Sequence, residues 1–139
     1  MPTDTGGVVY ARETGLAVAE FRRVLVDSGL GVTRPVDDAA RMSAMLAGAN
    51  FVMTARRCGL LIGVARGVTD FVWCCYLAEL AVAASAQGMG VGQGLLEAAR
   101  RELGSQVSLI LISVPGAVGF YEQAEMARIS DAFWYRRVV

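Results

Sequence analysis

Histidine and lysine are both missing from this 139-residue chain, and all thirteen of its basic residues are arginine. Without histidine, the chain has no Ser–His or Cys–His nucleophile pair and no histidine-ligated metal centre. Without lysine, it has no P-loop, because that phosphate-binding motif needs Gly-Lys-Ser/Thr. The function therefore depends on what arginine, carboxylates, hydroxyls and backbone groups supply.

Cysteine is scarce, since the chain has only Cys58, Cys74 and Cys75. Their spacing gives neither a paired disulfide framework nor a C-x-x-C metal site, so we predict no bound metal. Unpaired thiols are typical of a reducing compartment, and we therefore expect a cytoplasmic protein.

An excess of charge of either sign is absent too, because thirteen acidic residues balance the thirteen arginines. No overall field draws the chain to nucleic acid or to an anionic membrane. The first residues lack the basic and apolar regions of a signal peptide. The longest uncharged stretch, residues 103–121, is interrupted by polar residues, proline and glycine, which argues against a membrane span.

What the chain does have is a large apolar content, with hydrophobic residues making up 55% of the sequence. That content and the length suit one folded domain with its own core. We therefore expect a single domain over residues 1–139.

Hydrophobic periodicity predicts two helices between the first two strands. The first strand begins at Val8, a helix follows Gly15, and Asp37 or Asp38 caps the second helix. Three strand-like runs then suggest an antiparallel meander, with a tight turn between the first two. These runs are residues 51–57, 60–68 and 71–82.

The second half of the chain reads as a helix, a buried strand, a short helix and two last strands. The helix covers residues 92–103 and ends at Gly104, where glycine is a typical stop. A continuous apolar run at 107–114 is typical of a strand buried on both faces. The remaining predicted elements are the short helix at 115–123 and the strands at 127–130 and 132–138.

The stretch LAVAASAQGMGVG, residues 80–92, joins a strand to a helix through three glycines at alternate positions. The first N–H groups of a helix have no internal partner and lie at the positive end of its dipole, so they favour an anion such as a phosphate. Gly88, Gly90 and Gly92 would let the backbone approach a bulky diphosphate. A glycine-rich connector with packing duties alone is the alternative.

A dinucleotide-binding turn is a poor fit to the same glycines. That motif needs G-x-G-x-x-G after the first strand of a β-α-β unit, whereas GMGVGQG follows a late strand of a meander. Instead, residues 87–92 fit Q/R-x-x-G-x-G/A, the acetyl-CoA pyrophosphate motif, and the chain resembles the GNAT superfamily of N-acetyltransferases. The segment AVGFYEQ, residues 117–123, resembles the second signature of that family.

The resemblance implies a mixed α+β fold of three layers. A central, mostly antiparallel sheet of six to seven strands would be splayed at the cofactor site and covered by about four helices. The implied co-substrate is acetyl-CoA, with no metal.

The resemblance also implies which residues bind the cofactor. Leu80, Ala81 and Val82 would pair with the pantetheine arm in the manner of an added strand. Backbone N–H groups at the glycine turn would hold the pyrophosphate. Three residues of the second signature, which lies on the fourth helix, would complete the site. The turn residues are Gln87, Gly88, Met89, Gly90, Val91, Gly92 and Gln93, and the helix residues are Ala117, Phe120 and Tyr121.

For catalysis, the resemblance implies that Tyr121 is the acid that protonates the leaving thiolate. A phenol near its reference pKa of about 10 is protonated at neutral pH and suited to donate. The base is less clear, because the family's usual base positions are occupied by Tyr76 and Ala78. Glu79 is the nearest acid, but it lies one position out of phase with Tyr76 and Ala78 in the strand alternation. Its alternative roles are a direct base, a base acting through water, a ligand of the substrate amine, or a partner of an arginine.

The acceptor is expected to be a primary amine of a small molecule or a peptide. Candidate substrate-binding residues lie between the first two helices and between two strands. They are Arg34, Asp70, Phe71, Trp73 and Tyr76. A capped helix start and an apolar hairpin explain most of the same residues without any substrate.

Two functions from different classes follow. The first is an acetyl-CoA-dependent N-acetyltransferase in which the amine attacks directly. The second is a binding module that keeps the CoA site but senses or regulates, because a carboxylate is missing from the usual base positions. A homodimer formed through the terminal aromatic strand is a further hypothesis.

Overall fold

The computed structural model describes residues 2–138, so both ends of the predicted domain at 1–139 lie outside the described residues. Six strands form one sheet in sequence order. They are β1 (Thr3–Thr5), β2 (Val8–Arg12), β3 (Phe51–Arg57), β4 (Leu60–Thr69), β5 (Cys74–Val82) and β6 (Ser108–Leu111). The helices are α1 (Val18–Ser28), α2 (Ala39–Gly48), α3 (Val91–Leu103) and α4 (Val118–Gln123), and short 3-10 turns lie at Leu30–Thr33, Ala84–Ala86 and Pro115–Ala117.

The sheet is antiparallel from β1 to β5, and only β5 and β6 are parallel. The β5–β6 pairing joins Cys74 to Ser108 at one end and Leu77 to Leu111 at the other. Beyond Leu77, β5 continues to Val82, and within residues 2–138 this part of β5 pairs with β4 alone. The two strands therefore separate and leave one edge of β5 open.

Helices cover both faces of the sheet, which confirms the predicted mixed α+β fold. On one face, α3 contributes Leu95 and Ala99 to a core cluster with Phe51 and Met53 of β3. On the other face, residues of α1 and α2 pack with Leu61, Val64 and Ala81 in a second cluster. The sheet is therefore the middle of three layers, since its side chains alternate between two cores.

Several local predictions are confirmed by backbone geometry. Cys58 and Gly59 both have positive φ, as a two-residue hairpin turn of the expected hand requires. Asp38 caps α2, because its Oδ1 accepts a hydrogen bond from the Arg41 N–H at 3.0 Å. Gly104 ends α3 with positive φ as expected, and Gly29 ends α1 with positive φ in the same way.

The start of the predicted strand at 71–82 is wrong, because residues 71–73 form a turn. Asp70 Oδ1 accepts hydrogen bonds from the N–H groups of Val72, Trp73 and Cys74, and Phe71 takes a positive φ. An aspartate that bonds the backbone ahead of it competes with strand pairing.

The two predicted C-terminal strands, 127–130 and 132–138, are also wrong. Neither segment pairs with the sheet, and Phe133 and Tyr135 are almost fully exposed. Alternation is a local signal, whereas a strand also needs a partner for its backbone groups. The sixth strand is instead β1, whose three residues carry too little pattern for prediction.

A β-bulge interrupts the β4–β5 ladder. Arg66 faces Glu79 and Gly67 faces Leu77, so Ala78 is the extra residue without a partner on β4. Cys75 and Leu77 belong to the α3 cluster, and the bulge transfers Glu79 to the opposite face. Glu79 therefore lies on the same face as Tyr76, and simple alternation fails here.

Among residues 2–138, no helix combines the length and the apolar character that crossing a bilayer requires.

Candidate active site

A groove of about 1100 Å³ opens where β5 and β6 separate. Four segments form its walls: the end of α1 with the turn after it, the open end of β5, the glycine turn with the start of α3, and α4 with the turn before it. Of the described residues that line the groove, none is an aspartate, a glutamate or an arginine. An anion held here must therefore be bound mainly by backbone groups and by the dipole of α3.

Most residues expected to bind the cofactor line this groove. They are Leu80, Ala81, Val82, Gln87, Gly88, Gly90, Gly92, Gln93, Ala117, Phe120 and Tyr121. Val91 is instead buried in the core, and the exposed Met89 receives a hydrogen bond at its Sδ from Arg57 at 3.8 Å. Only the backbone of these two residues remains a candidate for binding.

The glycine turn presents open backbone to the groove. Gly88 and Gly90 have φ of 81° and 79°, and nothing lies within 4 Å of the place where a Cβ would stand. Gly90 is the N-cap of α3, and no side chain caps the helix there. Helix geometry leaves the N–H groups of Val91, Gly92 and Gln93 without acceptors inside the helix. The turn is thus an anion cradle with space for a ligand.

Gly92 has a different role, because it lets α4 pack against the start of α3. A Cβ at Gly92 would lie 2.9 Å from Cζ of Phe120. The ring of Phe120 in turn meets Tyr121 edge to face, with ring centroids 5.0 Å apart. The glycine turn and the tyrosine are therefore linked through one aromatic contact.

The side chain of Gln87 supports the open end of β5. Its Nε2 donates to the Val82 carbonyl at 2.9 Å. The N–H of Ala84 donates to Asp27 Oδ2 at 2.8 Å, which ties the same turn to α1. Sequence reasoning placed Gln87 by its backbone alone and missed this contact.

Tyr121 projects from α4 toward the gap between the strands. Burial raises the pKa of its phenol above the ordinary value, and the Arg34 guanidinium offsets part of this rise. The phenol is therefore protonated throughout the neutral range and able to donate a proton.

A small cavity of about 50 Å³ lies in the gap itself and brings Arg34, Glu79 and Tyr121 together. Arg34 comes from the α1–α2 connection, Glu79 from β5 and Tyr121 from α4. All three residues are candidates from the sequence, but their proximity is not, since each pair is separated by more than forty positions in the chain.

Both carboxylate oxygens of Glu79 accept hydrogen bonds from arginines. Arg34 Nε donates to Oε2 at 2.8 Å, Arg66 Nη2 donates to Oε2 at 3.1 Å, and Arg66 Nε donates to Oε1. The side chain of Glu79 is 2% exposed, against 11% for Arg66 and 22% for Arg34. Of the roles considered for Glu79, pairing with arginine is the one this geometry favours.

The other candidate substrate residues lie away from the groove. Asp70 caps the β4–β5 turn, and hydrogen bonds from the backbone lower the pKa of its carboxyl. Phe71 packs edge to face on Phe51 and carries the Arg12 guanidinium 4.5 Å from its ring centre. Trp73 and Tyr76 are exposed, at the tip of the turn and on β5. The apolar-hairpin alternative accounts for this set.

From the sequence, the segment between the first two helices is expected to bind the substrate and not to form a wall of the cofactor groove, and one member of the charged cluster is missed. Ser28, Gly29, Leu30 and Thr33 form that wall at the end of α1. The missed member is Arg66, whose role was hidden because the β4–β5 register depends on the bulge. Across the described part of the chain, Asp, Glu and Cys never gather in threes as a metal site would need.

The sequence matches the model of a known protein family. A family model described as the acetyltransferase (GNAT) family matches residues 15–126, which include the groove, the glycine turn and α4. No curated protein matches the sequence significantly.

Solved structures share the fold at low sequence identity. A proposed acetyltransferase from Deinococcus radiodurans R1 has 22% identity and a TM-score of 0.73, with 98% of this chain and 94% of that chain covered. An aminoglycoside acetyltransferase from an uncultured soil metagenomic sample, in complex with sisomicin, has 13% identity and a TM-score of 0.71, with 96% and 97% covered. The aminoglycoside N-acetyltransferase AAC(6')-Iy in complex with CoA has 16% identity and a TM-score of 0.69, with 95% of each chain covered.

The ion pairs around Glu79 lead to a stability prediction. We expect Glu79→Gln to lower the free energy of unfolding by about 2–3 kcal/mol, because it leaves two partly buried guanidinium groups without their carboxylate. Urea denaturation monitored by circular dichroism measures the change. Asp37→Asn is the matched control: Asp37 is 91% exposed in its pair with Arg22, so the expected loss is below about 0.5 kcal/mol. Equal losses in the two variants would contradict a structural role for Glu79.

Proposed function

This chain belongs to the acetyltransferase (GNAT) family, and we propose that it transfers an acetyl group from acetyl-CoA to a primary amine of a small molecule or a peptide. The observation that carries the proposal is the groove, in which an open β-strand edge, an uncapped helix start and a half-buried tyrosine converge. Residues 1–139 would act as one domain.

The residues present fit the diphosphate end of acetyl-CoA. Gly88 and Gly90 leave free space in front of the turn, and the first N–H groups of α3 are available as donors. These residues and the backbone of Met89 would hold the pyrophosphate. A groove of about 1100 Å³ is large enough for a long, flexible ligand.

The open edge of β5 fits the arm that joins the diphosphate to the thioester. Residues 78–82 lie beyond the end of the β5–β6 ladder, so their backbone groups on that side have no strand partner. Leu80, Ala81 and Val82 all line the groove. The backbone groups of Leu80 and the N–H of Val82 would hydrogen-bond an extended amide chain as a strand would, whereas the backbone of Ala81 is directed to β4.

Acetyl-CoA supplies an acetyl group activated as a thioester, so the amine must lose a proton and the departing thiolate must gain one. Tyr121 holds a proton at neutral pH, because burial keeps the pKa of its phenol raised. It is the group we assign as the acid. Glu79 is the only carboxylate among the described residues that line the groove and the small cavity, and arginines occupy both its oxygens. We therefore assign proton removal from the amine to water.

Small-molecule amines are the favoured acceptors. Two of the structural neighbours are aminoglycoside acetyltransferases, which supports this class. A CoA-binding module without turnover is the second candidate function, and the engaged carboxylate of Glu79 is the observation that favours it. Since the cysteines at 58, 74 and 75 are all free, we also place the protein in a reducing compartment such as the cytoplasm.

We further propose a homodimer, on two exposed apolar features of the described chain. Val68, Tyr76 and Ile110 are cross-strand neighbours on β4, β5 and β6, with 49%, 44% and 40% exposure. The unpaired C-terminal segment also exposes Phe133 and Trp134. Contiguous apolar surface of this kind is typical of an interface.

CoA binding tests the glycine turn. We expect Gly90→Glu to weaken acetyl-CoA binding at least 100-fold, because the new side chain fills the cradle and repels the diphosphate. Isothermal titration calorimetry measures the dissociation constants. The control is Gly104→Glu, which places the same residue at a positive-φ glycine at the other end of α3. Unchanged binding in Gly90→Glu would refute the assignment of the turn.

Turnover tests Tyr121. We expect Tyr121→Phe to lower kcat about 100-fold or more with little change in acetyl-CoA affinity, because only the proton donor is removed. Thiol release against a panel of amines measures the rate, and Tyr135→Phe is the control. Since the pKa of Tyr121 is raised, its ionisation should cause no loss of wild-type activity below about pH 10. Binding without turnover on every amine would favour the second candidate function.

Solution mass tests the homodimer. Sedimentation velocity should show a species of twice the chain mass that dissociates on dilution, and Phe133→Asp should shift it toward monomer by placing a charge in the contact. Val32→Asp is the control, because Val32 is equally exposed but lies in the α1–α2 connection. A single monomeric species at every concentration would eliminate the proposed dimer.

A further inference from the structure

The α1–α2 connection forms a wall of the groove; Leu30 and Val36 pack it against the core beside the sheet, and Arg34 joins it to β5 by hydrogen bonds. Arg34 follows the 3-10 turn at Leu30–Thr33, and Leu30 and Thr33 line the groove directly. The guanidinium of Arg34 makes contacts in three directions. It reaches Glu79, the Ala78 carbonyl and its neighbour Thr33.

The contact with Ala78 is made at the bulge. Arg34 Nη2 donates to the Ala78 carbonyl at 2.7 Å, and Ala78 is the residue that has no partner on β4. The bulge also marks the point beyond which β5 and β6 separate. Arg34 therefore supplies a donor to an irregular strand segment that the ladder itself does not satisfy there.

The contact with Glu79 fixes the direction of the guanidinium. Glu79 is fully buried and is held from behind by Arg66, whose Nη1 also donates to the Met45 carbonyl of α2 at 3.2 Å. Thr33 Oγ1 accepts a hydrogen bond from Arg34 Nη1 at 2.8 Å, so the α1–α2 connection also holds the guanidinium. A planar fork with five N–H donors can span these acceptors at once, whereas an ammonium group cannot.

We propose that Arg34 is a positioning residue for acetyl transfer: by joining the α1–α2 connection to Ala78 and Glu79, it holds β5 in place at the edge of the β5–β6 gap that Tyr121 faces. This inference rests on the proposed function. It assigns Arg34 no contact with the acceptor, in contrast to the substrate-binding role that the sequence suggested for it.

The charges around the gap agree with this role. Among the described residues that line the small cavity, Arg34 and Glu79 are the charged groups, and Arg66 of β4 stands behind Glu79. The cluster of two arginines and one glutamate carries a net charge of +1. Arg34 lowers the pKa of Tyr121 against the rise caused by burial, which makes the phenol a better proton donor.

Arg34→Met tests the proposal. It should lower kcat about 10- to 100-fold, because β5 is no longer held in place at the gap, while acetyl-CoA affinity changes less than about threefold. Arg34→Lys keeps the charge but loses the fork, so kcat should remain low. Arg22→Met is the matched control, because Arg22 ties the same connection on its exposed side, to Val36 and Asp37, and does not line the groove or the gap. It should keep wild-type kcat.

A second readout does not depend on turnover. The chain has four tyrosines, and 13C labelling at their ring Cζ allows each phenol to be titrated by NMR, with Tyr121→Phe used to assign the resonance. The pKa of Tyr121 should shift upward in Arg34→Met, shift less in Arg34→Lys, and stay unchanged in Arg22→Met. Circular dichroism of each variant reports whether it is folded.

The outcomes separate the two proposals. A wild-type protein that neither binds CoA nor releases thiol refutes the proposed function, while the Tyr121 titration still decides whether Arg34 acts on the gap. An unchanged Tyr121 titration in Arg34→Met, or a kcat equal to that of Arg22→Met, overturns the role of Arg34. A large loss of CoA affinity in Arg34→Met overturns it too, because Arg34 would then support the whole groove wall.

Discussion

The end of the β5–β6 ladder at Leu77 is the constraint on which the site depends. Parallel pairing holds the first half of β5, and the second half then leaves its neighbour and exposes one edge. The groove exists because these two strands part, and every wall of it comes from an element that packs around the opening. Backbone groups that normally complete a sheet are thereby left for a ligand.

An opening within a sheet must be supported from both faces, and the two faces use different chemistry. On the α3 face, the support is apolar: Phe120 of α4 packs against Gly92, and Tyr121 lies beside it. On the opposite face, it is ionic, with Glu79 between two arginines. A buried carboxylate is tolerated there because both of its oxygens are paired. The same pairing leaves neither oxygen of Glu79 without an arginine donor.

Much of the site could be predicted because its signals are local. The glycine turn, the start of α3 and the position of Tyr121 follow from short motifs whose geometry is set by neighbouring residues. The prediction of C-terminal strands is wrong because strand pairing is not local. Residues 132–138 alternate as a strand does, but alternation does not supply a partner strand. The predicted strand at residues 71–73 is wrong because the side chain of Asp70 bonds the backbone and so competes with strand pairing.

The sequence by itself determined the order of the elements from β2 to α4, the glycine cradle and the chemistry that is excluded, because these depend on residue type and on contacts within a few positions. Only the tertiary structure decided which partners Glu79 and Arg34 have. The bulge at Ala78 changes the face on which Glu79 lies, and the register that creates it is set by packing across three layers. Residues 45 positions apart become partners only when that register is formed.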